Sequence, residues 1–115
     1  MKIGLVFLIF GIALSGCKER DLAADCENDT NGKIGAFVAA EFYVRDRLRS
    51  PSTAEFPSFS AKGVLVNYVK RCHFTVVSYV DAQNAFGATV RTRYIVNIEA
   101  DPNSDGHRAS GLVME

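Results

Sequence analysis

A chain of 115 residues has room for one domain and one hydrophobic core. Its thirteen basic and thirteen acidic side chains cancel. The balance predicts no nucleic-acid partner and no charge-driven attraction to anionic surfaces.

The first sixteen residues predict a leader that is separate from the fold. Lys2 precedes an apolar run over residues 3–14, which is too short to span a bilayer comfortably. The run ends in the letters LSGC at Cys17, and this block resembles the bacterial lipobox. The resemblance implies a signal peptide over 1–16, cleavage before Cys17, and attachment of diacylglyceryl to its sulfur, so that the mature protein is a lipoprotein carrying acyl chains such as palmitate. A plain secretory signal, or an uncleaved anchor with an incidental cysteine, is the alternative.

Acylation would hold the mature chain on a membrane, because each buried methylene contributes about 0.8 kcal/mol and two or more acyl chains anchor stably. Lys18 stands where enteric lipoproteins retained in the inner membrane carry aspartate. In a Gram-negative host this favours the outer membrane, facing the periplasm. The polar residues 17–31 are then the lipidated tether, and residues 32–115 form the single domain.

Two of the three cysteines are candidates for a disulfide. If Cys17 carries lipid, Cys26 and Cys72 remain, and an exported compartment is oxidising enough to bridge them. Two free thiols are the alternative. The wide spacing disfavours zinc binding, so we expect neither a metal nor a cofactor.

The domain begins with a predicted helix from about residue 32 to about 49. Three N-cap types, Asp29 to Asn31, precede it, and Ser50-Pro51 ends it. Apolar residues at spacings of three and four predict the buried face: Ile34, Phe37, Ala40, Val44 and Leu48. Phe42 falls opposite. We expect the preceding spacer or the disulfide to cover it, and exposure as a partner contact is the alternative. A capping box at Ser52 and Glu55 predicts one further turn.

Residues 72–100 predict a long β-hairpin, because β-branched and aromatic residues alternate with polar ones. In the second arm the expected buried set is Val90, Tyr94, Val96 and Ile98. Residues 81–87 are the predicted loop, with Phe86 expected to pack back on the sheet end. Shorter strands are predicted near 64–69 and at 107–114. The pattern therefore indicates an α+β fold, one N-terminal helix packed on a three- or four-stranded antiparallel sheet.

Two segments resemble a pattern that recurs in small exported or membrane-anchored bacterial and phage-borne proteins. They are LRSPSTAEFP at residues 48–57 and SYVDAQNAFGATVR at residues 78–91. The resemblance implies a fold unit that covers the body of the mature domain, and it implies no particular activity.

Polar residues at and beside the hairpin loop form the candidate binding site, which consists of Asp81, Gln83, Asn84, Arg91 and Arg93. The alternative is that they bond the turn's own backbone and form a solvated strand face. Cys72 and His73 could pair as a nucleophile and base. Adjacent strand residues point to opposite faces, however, and a disulfide would consume the thiol.

No catalytic motif emerges, so we expect a protein that is not an enzyme. The preferred function is a cell-envelope lipoprotein that binds an envelope protein or has a structural role. The alternative is a phage or prophage lipoprotein that blocks an outer-membrane receptor in superinfection exclusion. A small-ligand binder or enzyme at the loop is the third hypothesis.

Overall fold

The computed structural model describes residues 26–104 and 106–115. The predicted leader, Cys17, Lys18 and most of the tether lie outside the described residues. Within them, one helix precedes a four-stranded antiparallel sheet, which confirms the α+β class. The elements are α1 (Thr30–Arg45), a short 3-10 turn (Pro51–Thr53), β1 (Leu65–Lys70), β2 (His73–Gln83), β3 (Thr89–Ala100) and β4 (His107–Met114). The helix thus lies at residues 30–45 and not at the chain's N-terminal end.

The sheet is a simple meander with the strand order β1-β2-β3-β4. The predicted hairpin is confirmed: β2 and β3 pair without interruption from His73 opposite Glu99 to Gln83 opposite Thr89. The strand β2 continues three residues further than expected, so the loop is residues 84–88. The expectation that Phe86 packs back on the sheet is wrong, since its side chain is 93% exposed. No described element reaches beyond the hairpin tip to cover it.

Helix α1 begins about two residues before its predicted start and ends about four residues before its predicted end. The Asp29 carboxylate accepts a hydrogen bond from the Gly32 N–H at 2.8 Å, as an N-cap does. At the other end, Arg47 and Leu48 donate to carbonyls three residues back, at 2.9 and 3.2 Å. This tighter bonding ends the α-helix at Arg45. Leu48 therefore lies outside the helix, although it still packs against the core.

Three of the five residues predicted for the buried face of α1 lie on it, namely Phe37, Ala40 and Val44. The buried residues are Gly32, Ala36, Phe37, Ala40 and Val44. Ile34 is exposed instead, and together with Val38 and Phe42 it forms a second apolar stripe at four-residue spacing. Because Ala36 and Ala40 are small, this face lets the helix approach the sheet closely.

The core lies between α1 and one face of the sheet. From the strands it takes Val66, Phe74, Val76, Val80, Tyr94, Val96 and Ile98. Three of the four residues predicted for β3 are therefore buried, but Val90 is 44% exposed. Val90 pairs with Ala82, which lies beyond Val80, the last fully buried residue of β2. At this level the hairpin projects past the described elements that pack on the core face of the sheet.

The segment between helix and sheet does not form the predicted capping box. Ser52 lies inside the 3-10 turn, and Thr53 Oγ1 donates to the Ser50 carbonyl at 2.8 Å. Glu55 instead forms an isolated antiparallel bridge with Asp81, through backbone bonds of 2.8 and 3.0 Å. This bridge fastens the connecting segment to the outer end of β2.

Candidate functional site

The predicted disulfide between Cys26 and Cys72 is present, and both residues are buried with Ala100. Around it, the Cys72 N–H donates to the Cys26 carbonyl at 3.1 Å, and the Ala100 N–H donates to the Cys72 carbonyl at 2.7 Å. The bridge thus fastens the start of the described chain to the end of the sheet where β2 begins and β3 ends.

The disulfide removes the conceivable Cys72–His73 nucleophile pair, because no thiol remains to be activated. His73 makes other contacts. Its Nδ1 lies 2.9 Å from the Arg71 carbonyl oxygen, which can only accept, and its Nε2 lies 3.6 Å from a Glu99 carboxylate oxygen. His73 therefore lies in an exposed polar environment beside Glu99 on the sheet.

The residues of the candidate binding loop are occupied mainly with the hairpin itself. Arg91 donates from Nε and Nη2 to the two carboxylate oxygens of Asp81, at 2.8 and 3.0 Å, and its guanidinium lies 4.1 Å from the Tyr79 ring centre. The hydrogen bond from Arg91 holds the pKa of Asp81 below its usual value. The cation is thus already paired with a carboxylate and stacked on a ring.

Asn84 makes hydrogen bonds within the hairpin turn, and Gln83 makes one to the 3-10 turn. Asn84 Oδ1 accepts from the N–H groups of Phe86 and Ala88 at 2.9 and 3.1 Å. The Gln83 N–H donates to Thr53 Oγ1 at 3.0 Å. Arg93 lies outside this loop, two residues beyond Arg91 on β3, and it pairs with Tyr79 of β2. The geometry therefore favours the alternative of turn-bonding polar groups over a ligand site that unites all five residues.

A cleft with a volume of about 630 Å³ lies between α1 and β4. The helix supplies one wall and the strands supply the other. The lining residues are Gly35, Val38, Ala39, Phe42, Tyr43, Asp46, Ile98, His107 and Ala109. Most of these are apolar, so the cleft suits an apolar side chain better than a charged ligand.

Two residues of this cleft stand out by their exposure or burial. Phe42 projects at its edge with 63% of its surface exposed, next to Val38 of the same stripe. His107 Nε2 is buried and has no hydrogen-bond partner among the described residues.

The sequence identified only Phe42 of this site. The spacing of Ile34, Val38 and Phe42 was the available signal, but Ile34 also fits the spacing of the buried face. The second wall comes from β4, more than sixty residues further along the chain. A single sequence carries no sign of which side of the helix that strand would leave open.

Other kinds of site are not formed by residues 26–104 and 106–115. No three His, Cys, Asp or Glu side chains in these ranges could hold a metal ion together. No helix in the same ranges has the length and apolar character needed to cross a membrane.

Comparison of the chain with models of protein families, with curated proteins and with solved structures gives no match. A proposal for the function therefore depends on the geometry of the cleft beside α1 and not on similarity to known proteins.

Proposed function

We propose that this chain is a cell-envelope lipoprotein without catalytic activity, which binds another envelope protein through the cleft between α1 and β4. The observation that carries the proposal is the apolar stripe of Ile34, Val38 and Phe42, which the fold leaves exposed beside that cleft. Exposed apolar residues that adjoin a concave surface are typical of protein-binding sites.

The occupant we propose is an apolar segment of the partner, with an aromatic or branched aliphatic side chain in the cleft. Such an anchor would contact Val38 and Phe42 on the helix and Ala109 on the strand. Burying the Phe42 ring on binding would supply the largest single apolar contribution, because aromatic residues dominate interface energetics.

The lipid anchor at Cys17 rests on the resemblance to the lipobox. It fits the position of the disulfide, because Cys26 brings the chain into one end of the sheet. The hairpin tip then projects from the opposite end, since the eleven residues of β2 span about 36 Å. We expect mass spectrometry of the membrane fraction to show an acylated N-terminal Cys17. An intact Met1, or an unmodified Cys17, would contradict the anchor.

The partner is tested by photo-crosslinking in cells. A photoreactive amino acid at Val38 of the full chain should yield one discrete adduct with another envelope protein. Phe42→Ser should lower the yield of that adduct at least tenfold, because the substitution removes the apolar anchor at the edge of the cleft.

Phe86→Ser is the matched control, since it removes an equally large exposed ring from the hairpin tip. It should leave the Val38 adduct unchanged. Loss of the adduct with Phe86→Ser but not with Phe42→Ser would place recognition at the tip and refute the cleft.

A further inference from the structure

The face of the sheet turned away from α1 carries one apolar residue on every strand, at the same level. In the register, Leu65 lies opposite Val77, Val77 opposite Ile95, and Ile95 opposite Val113. We call these four residues the outer row. All are exposed or half-buried, and none belongs to the core. No described element covers this face, so an apolar row across the whole sheet is left open to solvent.

Polar residues flank the outer row in complementary pairs that join β2 to β3. Beyond it toward the loop lies the ion pair of Asp81 with Arg91. On the other side, Thr75 Oγ1 donates to Asn97 Oδ1 at 3.1 Å. Past that pair, His73 lies opposite Glu99.

We propose that the outer face docks a second copy of this chain. The two outer faces would pack against each other as an aligned sandwich. The two-fold axis would lie midway between the two sheets, parallel to the strands and level with the gap between β2 and β3. Such an axis exchanges β2 with β3. Each β2 residue of one copy then lies over the residue of the second copy that is its own partner in the β2–β3 register.

Complementarity follows directly from this exchange. Asp81 lies over Arg91 of the second copy and Arg91 over its Asp81, so no like charges meet there. His73 lies over Glu99 in the same way. In the outer row Val77 meets Ile95, while Leu65 meets Val113, so apolar residues face apolar residues along the whole row.

The size of this face fits a weak dimer. Four strands about 4.8 Å apart and eight or nine residues of length give about 500 Å² per copy, or about 1,000 Å² in total. That area is at the lower limit for a specific interface. Tethering both copies to one membrane would raise their effective concentration and favour the dimer.

The direction of the axis rests on the lipid anchor of the proposed function. Where the strands stand upright on the membrane, an axis parallel to the strands turns the Cys26 ends of both copies toward it. In that orientation an axis perpendicular to the strands would hold one Cys26 end about 36 Å further from the membrane than the other. The chain from Cys17 to Cys26 reaches at most about 30 Å.

The test uses the full chain, expressed with its leader and kept in its membrane. A photoreactive amino acid at Leu65 should give an adduct of twice the chain mass, with the crosslink mapped by mass spectrometry to the segment around Val113. Ile95→Lys should lower the yield of this adduct at least tenfold, because it places charge in the outer row of both copies. Val113→Lys repeats the test on the edge strand.

Val90→Lys is the matched control. Val90 lies on the same strand, β3, with nearly the same exposure as Ile95 (44% against 42%), but on the opposite face. It should leave the adduct unchanged. No adduct of twice the chain mass, an adduct with a different protein, a link from Leu65 to Leu65, or equal loss with Val90→Lys would each overturn the proposal. Phe42→Ser should leave this adduct intact, so failure of the cleft proposal is distinguishable from failure of the dimer.

Discussion

Tyr94 places a hydroxyl inside the core, opposite Ser78 in the register of β2 and β3. Neither hydroxyl oxygen has a hydrogen-bond partner of good geometry among the described residues. Burial raises the pKa of Tyr94 to about 12, the Ser78 hydroxyl opposes that rise, and the Glu41 carboxylate adds to it. The folded state thus keeps this phenol neutral at a pH where the unfolded chain ionises it.

The stability of the protein should therefore depend on pH in the alkaline range. Below pH 10 both states keep the proton, so the contribution of Tyr94 is constant. Between pH 10 and about 12 only the unfolded state releases it, and the free energy of unfolding should fall, by at most about 2.7 kcal/mol. Urea titrations at pH 8 and pH 11.5 would measure the fall.

Tyr94→Phe isolates this contribution. At pH 8 the variant should be as stable as the parent or slightly more stable, because it removes a buried polar atom that lacks a partner. Its stability should fall less between pH 8 and pH 11.5. A loss above about 2 kcal/mol at pH 8 would show that the hydroxyl makes a bond that stabilises the fold.

Helix α1 has two apolar stripes with different environments. The buried face includes Val44, which is fully buried, whereas Val38 on the exposed stripe is 40% exposed. Apolar residues on more than one side of a helix weaken any prediction of the face that turns inward. The face that turns inward is set by packing on the sheet, because the small side chains of Ala36 and Ala40 let the helix approach the sheet closely.

A pair of valine substitutions tests this difference. Val44→Ala should lower the free energy of unfolding by about 2 to 3 kcal/mol, because it removes two buried methyl groups and leaves a cavity. Val38→Ala removes the same atoms from a partly exposed position and should cost less than about 1 kcal/mol. Urea unfolding of both variants would measure the costs, and equal costs would contradict the orientation of the helix.

The strands were more predictable than the helix. Alternation with a period of two has only two possible faces, so Tyr94, Val96 and Ile98 could be assigned to the core from their parity. Val90 has the same parity but lies in the part of the hairpin that projects past the core. Parity assigns a residue to a face of the sheet and does not show how far along the strand that face is buried. The ends of α1 and the cleft depend on residues distant in sequence, which local patterns do not relate.

At the scale of the whole molecule, the disulfide joins residues separated by 46 positions, a span that contains α1, the 3-10 turn and β1. On the chain-entropy model a loop of this length stabilises the fold by about 4 kcal/mol. Replacing both Cys26 and Cys72 by Ser should lower the free energy of unfolding by about that amount. Chemical denaturation of the purified protein would measure it.

Cys17→Ser is the control for this pair. It leaves the Cys26–Cys72 bridge intact and should leave the free energy of unfolding unchanged, although it abolishes the proposed acylation. If Cys17→Ser destabilised the protein as much as the double substitution, the assignment of Cys17 to lipid would be wrong.

The position of the bridge also has a mechanical consequence. Where the chain is anchored at Cys17, any tension between membrane and partner enters the body at Cys26. The bond to Cys72 passes that load into the central strands before it can pull on the first turn of α1. A partner bound in the cleft would thus contact a helix whose first turn is not pulled directly by the anchored chain.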